Sequence, residues 1–349
     1  MKKILALLLA AVMLFALCAC GADSDKKDDT KKEDNKTTTT TKAPEGDGDK
    51  DAATVKFGAA VYVSGAAATS ATEDKAGQGS ADIAGAAVLV ADGKIVACDL
   101  DIMQQKASYD YEGKAIANAE FKTKRELGDA YNMVAYGNAT QEWYAQADAF
   151  ETLIVGKTVE EIKALMIADT KKGNDAVIAA GCTIKIDEFV AVIEKAVANA
   201  TVEVAADVTV KVTAATSQTC TDATEDKDGS NKLSTTFFAA ALKDGKVVAA
   251  SSDCVEITYG FDAFGESKFD AAAAIQSKRE KGSNYGMVAY GGSAKEWFEQ
   301  ADAFDAACVG LAGSEIAGLM GADYKGIDTL KAAGCTIYVS DFVAAASKI

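Results

Sequence analysis

The sequence predicts an α+β fold of two tandem homologous units, each an antiparallel sheet packed with helices, behind a disordered tether. Three observations carry that expectation. Residues 124–150, KRELGDAYNMVAYGNATQEWYAQADAF, return as residues 278–304, KREKGSNYGMVAYGGSAKEWFEQADAF, 154 positions on and without a gap. A register kept over that length marks two copies of one folding unit. In each copy the β-type runs come first and the helical periodicities follow, an order that favours an α+β layer over a doubly wound sheet. Residues 21–53 mix Asp, Lys and a threonine run with the single Pro44 and show no apolar periodicity. Such a stretch cannot bury enough surface to fold. The expected organisation is a leader at 1–20, a tether at 21–53, repeat unit 1 at 54–200 and repeat unit 2 at 201–349.

The leader, MKKILALLLAAVMLFALCAC, sets two lysines before an apolar run too short for a spanning helix with a stop, the pattern of an export signal. Its end, Leu17-Cys18-Ala19-Cys20, resembles the bacterial lipobox, in which a cysteine becomes lipidated and then the new N-terminus. Cys20 fits that role better than Cys18, which follows the bulky Leu17. The resemblance implies a bacterial lipoprotein with a membrane anchor, an extracytoplasmic location and a place on the cell surface. The 33-residue tether would then span about 30 Å as a coil.

Within the units, ATEDK at 71–75 returns at 223–227, and ADGKIVA at 91–97 returns as KDGKVVA at 243–249. Apolar runs at 86–90 and 237–242 meet Asp92-Gly93 and Asp244-Gly245, and Asp-Gly between apolar runs is a strong hairpin signal. A third strand is expected within 98–104 or as a continuation of the second. Trp143, Ala147, Phe150 and Ile154 fall on one helix face. Ser293 with Glu296 reads as a capping box for the second copy, with Asn138 or Thr140 capping the first. Gly156 and Gly310 stop these helices. Thr158 with Glu161 opens a short amphipathic helix through Ile162, Leu165 and Met166, and its glycine-rich counterpart near residue 315 should be weaker. Each unit is expected to close with a strand, 182–186 or 335–339, and a helix begun by Asp187 or Ser340.

Composition narrows the function. A net charge of −16 repels nucleic acid and anionic headgroups. The chain contains no histidine, which removes the commonest general base, most zinc sites and every Ser-His-Asp or Cys-His device. No Walker, G-x-G-x-x-G, G-x-S-x-G or EF-hand spacing occurs, and Asp148 and Asp302 face no evident second acid for glycosidase chemistry. Cys98, Cys182, Cys220, Cys254, Cys308 and Cys335 form no C-x-x-C pair; they are read as structural thiols, although six thiols in an oxidising compartment allow fifteen pairings. What stands out is the loop between sheet and first helix. Lys124, Arg125, Tyr131, Met133 and Tyr136 in copy one, and Lys278, Arg279, Tyr285, Met287 and Tyr290 in copy two, could hold an aromatic ring or an anionic group. The competing reading has Tyr and Met covering the sheet edge and the charges solvated. Trp143 and Trp297 read as core.

The order DGKIVAC, KRELG-x-x-Y-x-M, EW-x-x-QADAF, VGKTVEEIK and DEFVAVIEKA resembles clostridial-type surface lipoproteins related to the FMN-binding-domain superfamily, over roughly residues 55–349. The resemblance implies FMN-binding-like modules and makes FMN a possible cofactor. The superfamily's covalent attachment motif, a Thr or Ser in a Gly-Ala-Thr string, is not found: Ser64-Gly65-Ala66-Ala67-Ala68-Thr69 and Ser234-Thr235-Thr236 are the nearest strings and match neither in sequence nor in place. The expected function is a non-enzymatic, membrane-anchored protein whose two modules bind a small molecule or an envelope component. The alternative is extracytoplasmic flavin-dependent electron transfer, and a carboxylate hydrolase is a third reading.

Overall fold

The computed structural model describes residues 54–349; the leader, the tether and Cys20 lie outside the described residues. Each copy opens with a three-stranded antiparallel meander. In copy one β1 (Thr54–Thr69), β2 (Gly77–Ala91) and β3 (Lys94–Tyr109) are followed by the two-residue β4 (Ala115–Ile116). In copy two β5 (Val202–Ala205) precedes β6 (Thr209–Thr221), β7 (Gly229–Lys243) and β8 (Lys246–Phe261). The strand orders are β4-β3-β2-β1-β5 and β6-β7-β8, so β5, which opens the second half, pairs with β1 of the first. Both Asp-Gly signals form two-residue hairpins, with Ala91 opposite Lys94 and Lys243 opposite Lys246. Asp92 and Gly93 have φ of 49° and 74°, and Asp244 and Gly245 have 51° and 73°, the left-handed pair that a type I′ turn requires. The α+β expectation holds.

Copy one continues through α1 (Lys124–Leu127), α2 (Met133–Gly137), α3 (Trp143–Ile154), α4 (Val159–Lys163), α5 (Asp175–Ala180) and α6 (Asp187–Ala198). Copy two has α7 (Lys278–Lys281), α8 (Trp297–Cys308), α9 (Gly313–Ile316), α10 (Asp328–Ala332) and α11 (Ser340–Ala346). Thr158 and Glu161 form the expected capping box, and Gly156 and Gly310 follow their helices with φ of 79° and 86°. Two expectations need correction. The residue preceding α3 is Glu142 and that preceding α8 is Glu296, rather than Asn138, Thr140 or Ser293; the Ser293 hydroxyl instead accepts from Gln300 Nε2 at 3.0 Å. Residues 182–186 and 335–339 form no strand, only single bridges such as Lys172 to Lys185. Gln146 Oε1 takes the Thr183 N–H at 2.8 Å and Gln300 Oε1 takes that of Thr336 at 2.8 Å, so those donors cannot enter a ladder.

Strand alternation builds four layers. Along β2, Ile83, Ala87 and Leu89 point into a core shared with Leu233, Phe237 and Tyr259 of the second sheet, while Ala84, Ala86, Val88 and Val90 point at Trp143, Phe150 and Phe189 of the helices. Phe238, Ala240 and Cys254 face Trp297, Phe304 and Phe342 in the same way. The order is helices, sheet, sheet, helices, and the middle strands β2 and β7 carry runs of consecutive buried residues that face both the other sheet and the helices.

Equivalent positions of the two copies meet reciprocally. Ala71 N–H donates to Gly265 O at 2.8 Å, and Ala223 N–H to Gly113 O at 2.7 Å. Lys195 pairs with Glu280, as Lys348 pairs with Glu126. Tyr109 and its counterpart Phe261 stack at 4.3 Å and 11°. Such an exchange, i with j and j with i, is the contact pattern of a two-fold dimer, here within one chain. Among the described residues no helix is long and apolar enough to cross a membrane, and none of the six cysteines is bridged.

Candidate functional site

The doubled block resolves into separate tasks. Thr123 caps α1 and Ser277 caps α7, each with the following Glu, Glu126 or Glu280, closing a capping box. The arginines behind them fasten strand edges. Arg125 Nε donates to Leu100 O at 2.7 Å while its other nitrogens reach Asp148 and Glu151, and Glu151 Oε1 accepts from Leu100 N at 2.8 Å. Arg279 repeats this with Ser252 O, Asp302 and Asp305, and Asp305 Oδ2 accepts from Ser252 N at 2.8 Å. The unpaired edges of β3 and β8 are thus covered by side chains rather than left open to another strand. Burial raises Glu151 to about 7 and Asp305 to about 6, with the arginines pulling the other way. Arg125 and Arg279 are therefore taken up by structure and line neither of the paired pockets described next, although Arg279 borders the separate cleft between β1 and β8.

Glu142 accepts from Met133 N and Val134 N at 2.9 and 3.0 Å, and Glu296 accepts from Met287 N and Val288 N at 2.9 and 3.1 Å. Those bonds hold the loop so that Met133 and Met287 face inward beside Trp143 and Trp297. The result is one pocket per copy, of about 500 Å³ in copy one and about 370 Å³ in copy two, within the range of small-molecule sites. Lys124, Tyr131, Met133, Trp143, Ile184 and Phe189 line the first; Lys278, Tyr285, Met287, Trp297, Ile337 and Phe342 line the second at matching positions.

A lysine caged by aromatic rings sits at the centre of each. Lys124 is 6% exposed, with Nζ 5.4 Å from the Tyr131 centroid and 5.6 Å from that of Trp143. Lys278 Nζ lies 5.0 Å from Tyr285 and 5.3 Å from Trp297. Each ring pair attracts the ammonium by its quadrupole, worth about 0.5–2 kcal/mol per contact. The acids differ. In copy one Asp82 on β2 stands 3.7 Å from Lys124, and its cross-strand neighbour on β3 is Gln104. In copy two the pair is Ser234 and Glu256, and Glu256 is 3.2 Å from Lys278 and 2.9 Å from Lys232, and accepts from the Tyr285 hydroxyl at 2.9 Å. Burial alone would raise Glu256, but Lys278, Lys232 and the Tyr285 hydrogen bond hold it at about 2. Burial likewise opposes the Lys278 ammonium, and the negative groups round it, Glu256 among them, raise its pKa on balance. A second acid on each wall, Glu188 or Asp341, accepts from Ser64 or Ser217 and is raised by burial.

Of the residues singled out from sequence, Lys124, Tyr131, Met133, Lys278, Tyr285 and Met287 come together in the pockets. Tyr136 and Tyr290 do not: they are 84% and 92% exposed. The acids Asp82, Glu188, Glu256 and Asp341 were missed, since they come from distant strands and helices. Trp143 and Trp297 are core residues as expected, and they also form cage walls. A further cleft of about 540 Å³ runs between β1 and β8. In the opposite seam, between β3 and β6, Asp99 Oδ2 accepts from Val212 N at 2.6 Å.

The flavin implied by the resemblance finds a poor match. Its phosphate would be held by a Ser or Thr string, yet in the nearest strings the Ser64 hydroxyl donates to Glu188 and the Ser234 hydroxyl to Glu256 at 3.3 Å, so both are already engaged by carboxylates. Among the described residues no group of three or more Cys, Asp or Glu is placed to hold a metal ion. Comparison with protein-family models, with curated proteins and with solved structures finds no match to this chain.

Proposed function

We propose that the chain is a membrane-anchored extracytoplasmic lipoprotein whose two FMN-binding-like modules bind small molecules or an envelope component, without catalysing a reaction on them. The observation that carries the reading is the pair of equivalent lysine-cage pockets, built at matching positions from the doubled block. A core that needed only packing would have no use for a lysine so far withdrawn from solvent in each copy, with side chains 8% and 11% exposed, since burying charge is costly. The state of the charged groups favours holding over turnover. Lys278 is kept protonated and Glu256 ionised near neutral pH, so neither is poised to pass a proton.

Trp143 and Trp297 are the only tryptophans, and one stands in each pocket. A panel of small metabolites titrated against Trp297→Phe and Trp143→Phe proteins therefore reads each pocket by itself. Saturable changes in emission support the reading; a folded protein that responds to no member of the panel contradicts it. Flavin-dependent electron transfer would show instead as a visible spectrum and an added mass after FMN uptake. For the anchor, Cys20→Ala should abolish incorporation of a labelled fatty acid and release the protein from membranes, and unchanged labelling would refute that half.

A further inference from the structure

The two cages are neutralised to different degrees. Lys278 has Glu256 at 3.2 Å, and Glu256 is in turn held by Lys232 and Tyr285. Lys124 has no such partner. Gln104 replaces the acid at the Glu256 position, and Asp82 stands off at 3.7 Å, beyond hydrogen-bonding distance. The Lys124 ammonium makes no hydrogen bond among the described residues and lines the cavity beside Tyr131 and Trp143, with donors left for a ligand. The rims differ in the same sense. Copy one carries Lys171 and Lys185 where copy two carries Tyr324 and Tyr338. Lys171 is paired with Asp187 at 2.9 Å, whereas Lys185 lines the pocket with no carboxylate partner among the described residues. Of the remaining acids, Glu188 is tied to Ser64.

We propose that the copy-one pocket binds a small carboxylate with an apolar body, the carboxylate meeting the Lys124 ammonium and Lys185, and that the copy-two pocket, already satisfied by Glu256, does not. The apolar body would lie against Met133, Ile102, Ile184 and Phe189, which line the same cavity. The proposal rests on reading the cages as ligand sites.

Phenylacetate, phenylalanine and phenethylamine share one ring and differ in charge, so they separate the possibilities. In Trp297→Phe protein, phenylacetate or phenylalanine should change Trp143 emission saturably and phenethylamine should not. The tighter of the two shows whether a bare carboxylate or an amino acid is preferred. Lys124→Met, which keeps the volume and removes the charge, should weaken binding at least tenfold, about 1.4 kcal/mol. Gln104→Glu, which installs the copy-two acid, should do the same with the lysine intact. Trp297 emission, read in Trp143→Phe protein, should respond to none of the three. Equal affinity in the two pockets, or binding untouched by both substitutions in folded protein, would overturn the proposal. So would a parent protein that ignores both carboxylates; if other panel compounds still shift Trp143, only this proposal fails and the binding reading survives.

Discussion

Copy one and copy two keep the floor of their pockets and change its charge. Lysine, tyrosine, methionine and tryptophan recur at matching places, while the acid moves from β2 in the first copy to β8 in the second, and two rim lysines become tyrosines. The floor is inherited with the fold, because the same residues close the helix layer over the sheet. The interface between sheets shows a second kind of divergence. Gly85 and Phe237 are counterparts, and the Phe237 ring lies where a Cβ on Gly85 would stand, at 2.3 Å. Gly79 likewise admits the Tyr259 ring. Each copy has become the complement of the other there, so identical halves would no longer fit.

The largest effect that would sharpen this comparison lies in the arginine staples. Arg125→Met takes the cation from buried Glu151, Asp99 and Asp101, whereas Arg279→Met takes it from Asp305 and Asp253, since Asp302 is mostly exposed and Asp99 has no acidic counterpart. Both should cost about 3–5 kcal/mol, the copy-one change more. Chemical denaturation checks the order, and a costlier Arg279→Met would break it. Next, Gly85→Ala forces a Cβ into the Phe237 ring and should cost about 1–3 kcal/mol. Gly93→Ala, in an open hairpin, should cost less, because it meets no atom within 4 Å and pays only for its positive φ. Equal costs for the two would mean that the sheet interface is looser than described.

A smaller effect separates the copies by pH. The folded pKa of Glu256, about 2, lies below its ordinary 4.5, so its contribution to stability is complete above pH 4.5 and fades as pH falls toward 2. Glu151 and Asp305 have raised values, about 7 and about 6; the folded state holds their protons more firmly, and the stability they contribute declines as pH rises through that range. Glu256→Gln should therefore flatten the acid limb below pH 4.5 in thermal melts. Gln104, which does not titrate, has no such limb to lose, and an unchanged acid limb in Glu256→Gln would show that Glu256 is not held by Lys278.

Much of this fold could be read from residues. The doubled block, the two Asp-Gly turns, the Trp143 helix face and the Thr158 cap are all local signals, and local physics decides them. The chain was less legible where a distant side chain intervenes. Residues 182–186 alternate like a strand, yet Gln146, far away in sequence, claims the donor that a ladder needs. Glu142 and Glu296 displace the hydroxyl residues expected at the helix starts, because they also anchor the methionine loops. The strands β1 and β6 escaped notice among alanines and threonines without a turn to frame them. For the site, repetition exposed Lys124, Tyr131 and Met133 with their partners. It also drew in Arg125 and Arg279, which repeat for structural reasons, and Tyr136 and Tyr290, which stand in solvent. Asp82 and Glu256 stayed hidden because they are not counterparts, while Glu188 and Asp341 do correspond but start helices far along the chain from the doubled block.

The decisive measurement exchanges the two charges. A Gln104→Glu, Glu256→Gln protein keeps both lysine cages and swaps which of them carries its own close acid. Phenylacetate titrations, read at Trp143 in the Trp297→Phe background and at Trp297 in the Trp143→Phe background, should show binding leaving the first pocket and arising in the second. Binding that stays at Trp143, undiminished by the exchange in folded protein, would contradict the claim that the placement of one carboxylate sets what each copy holds.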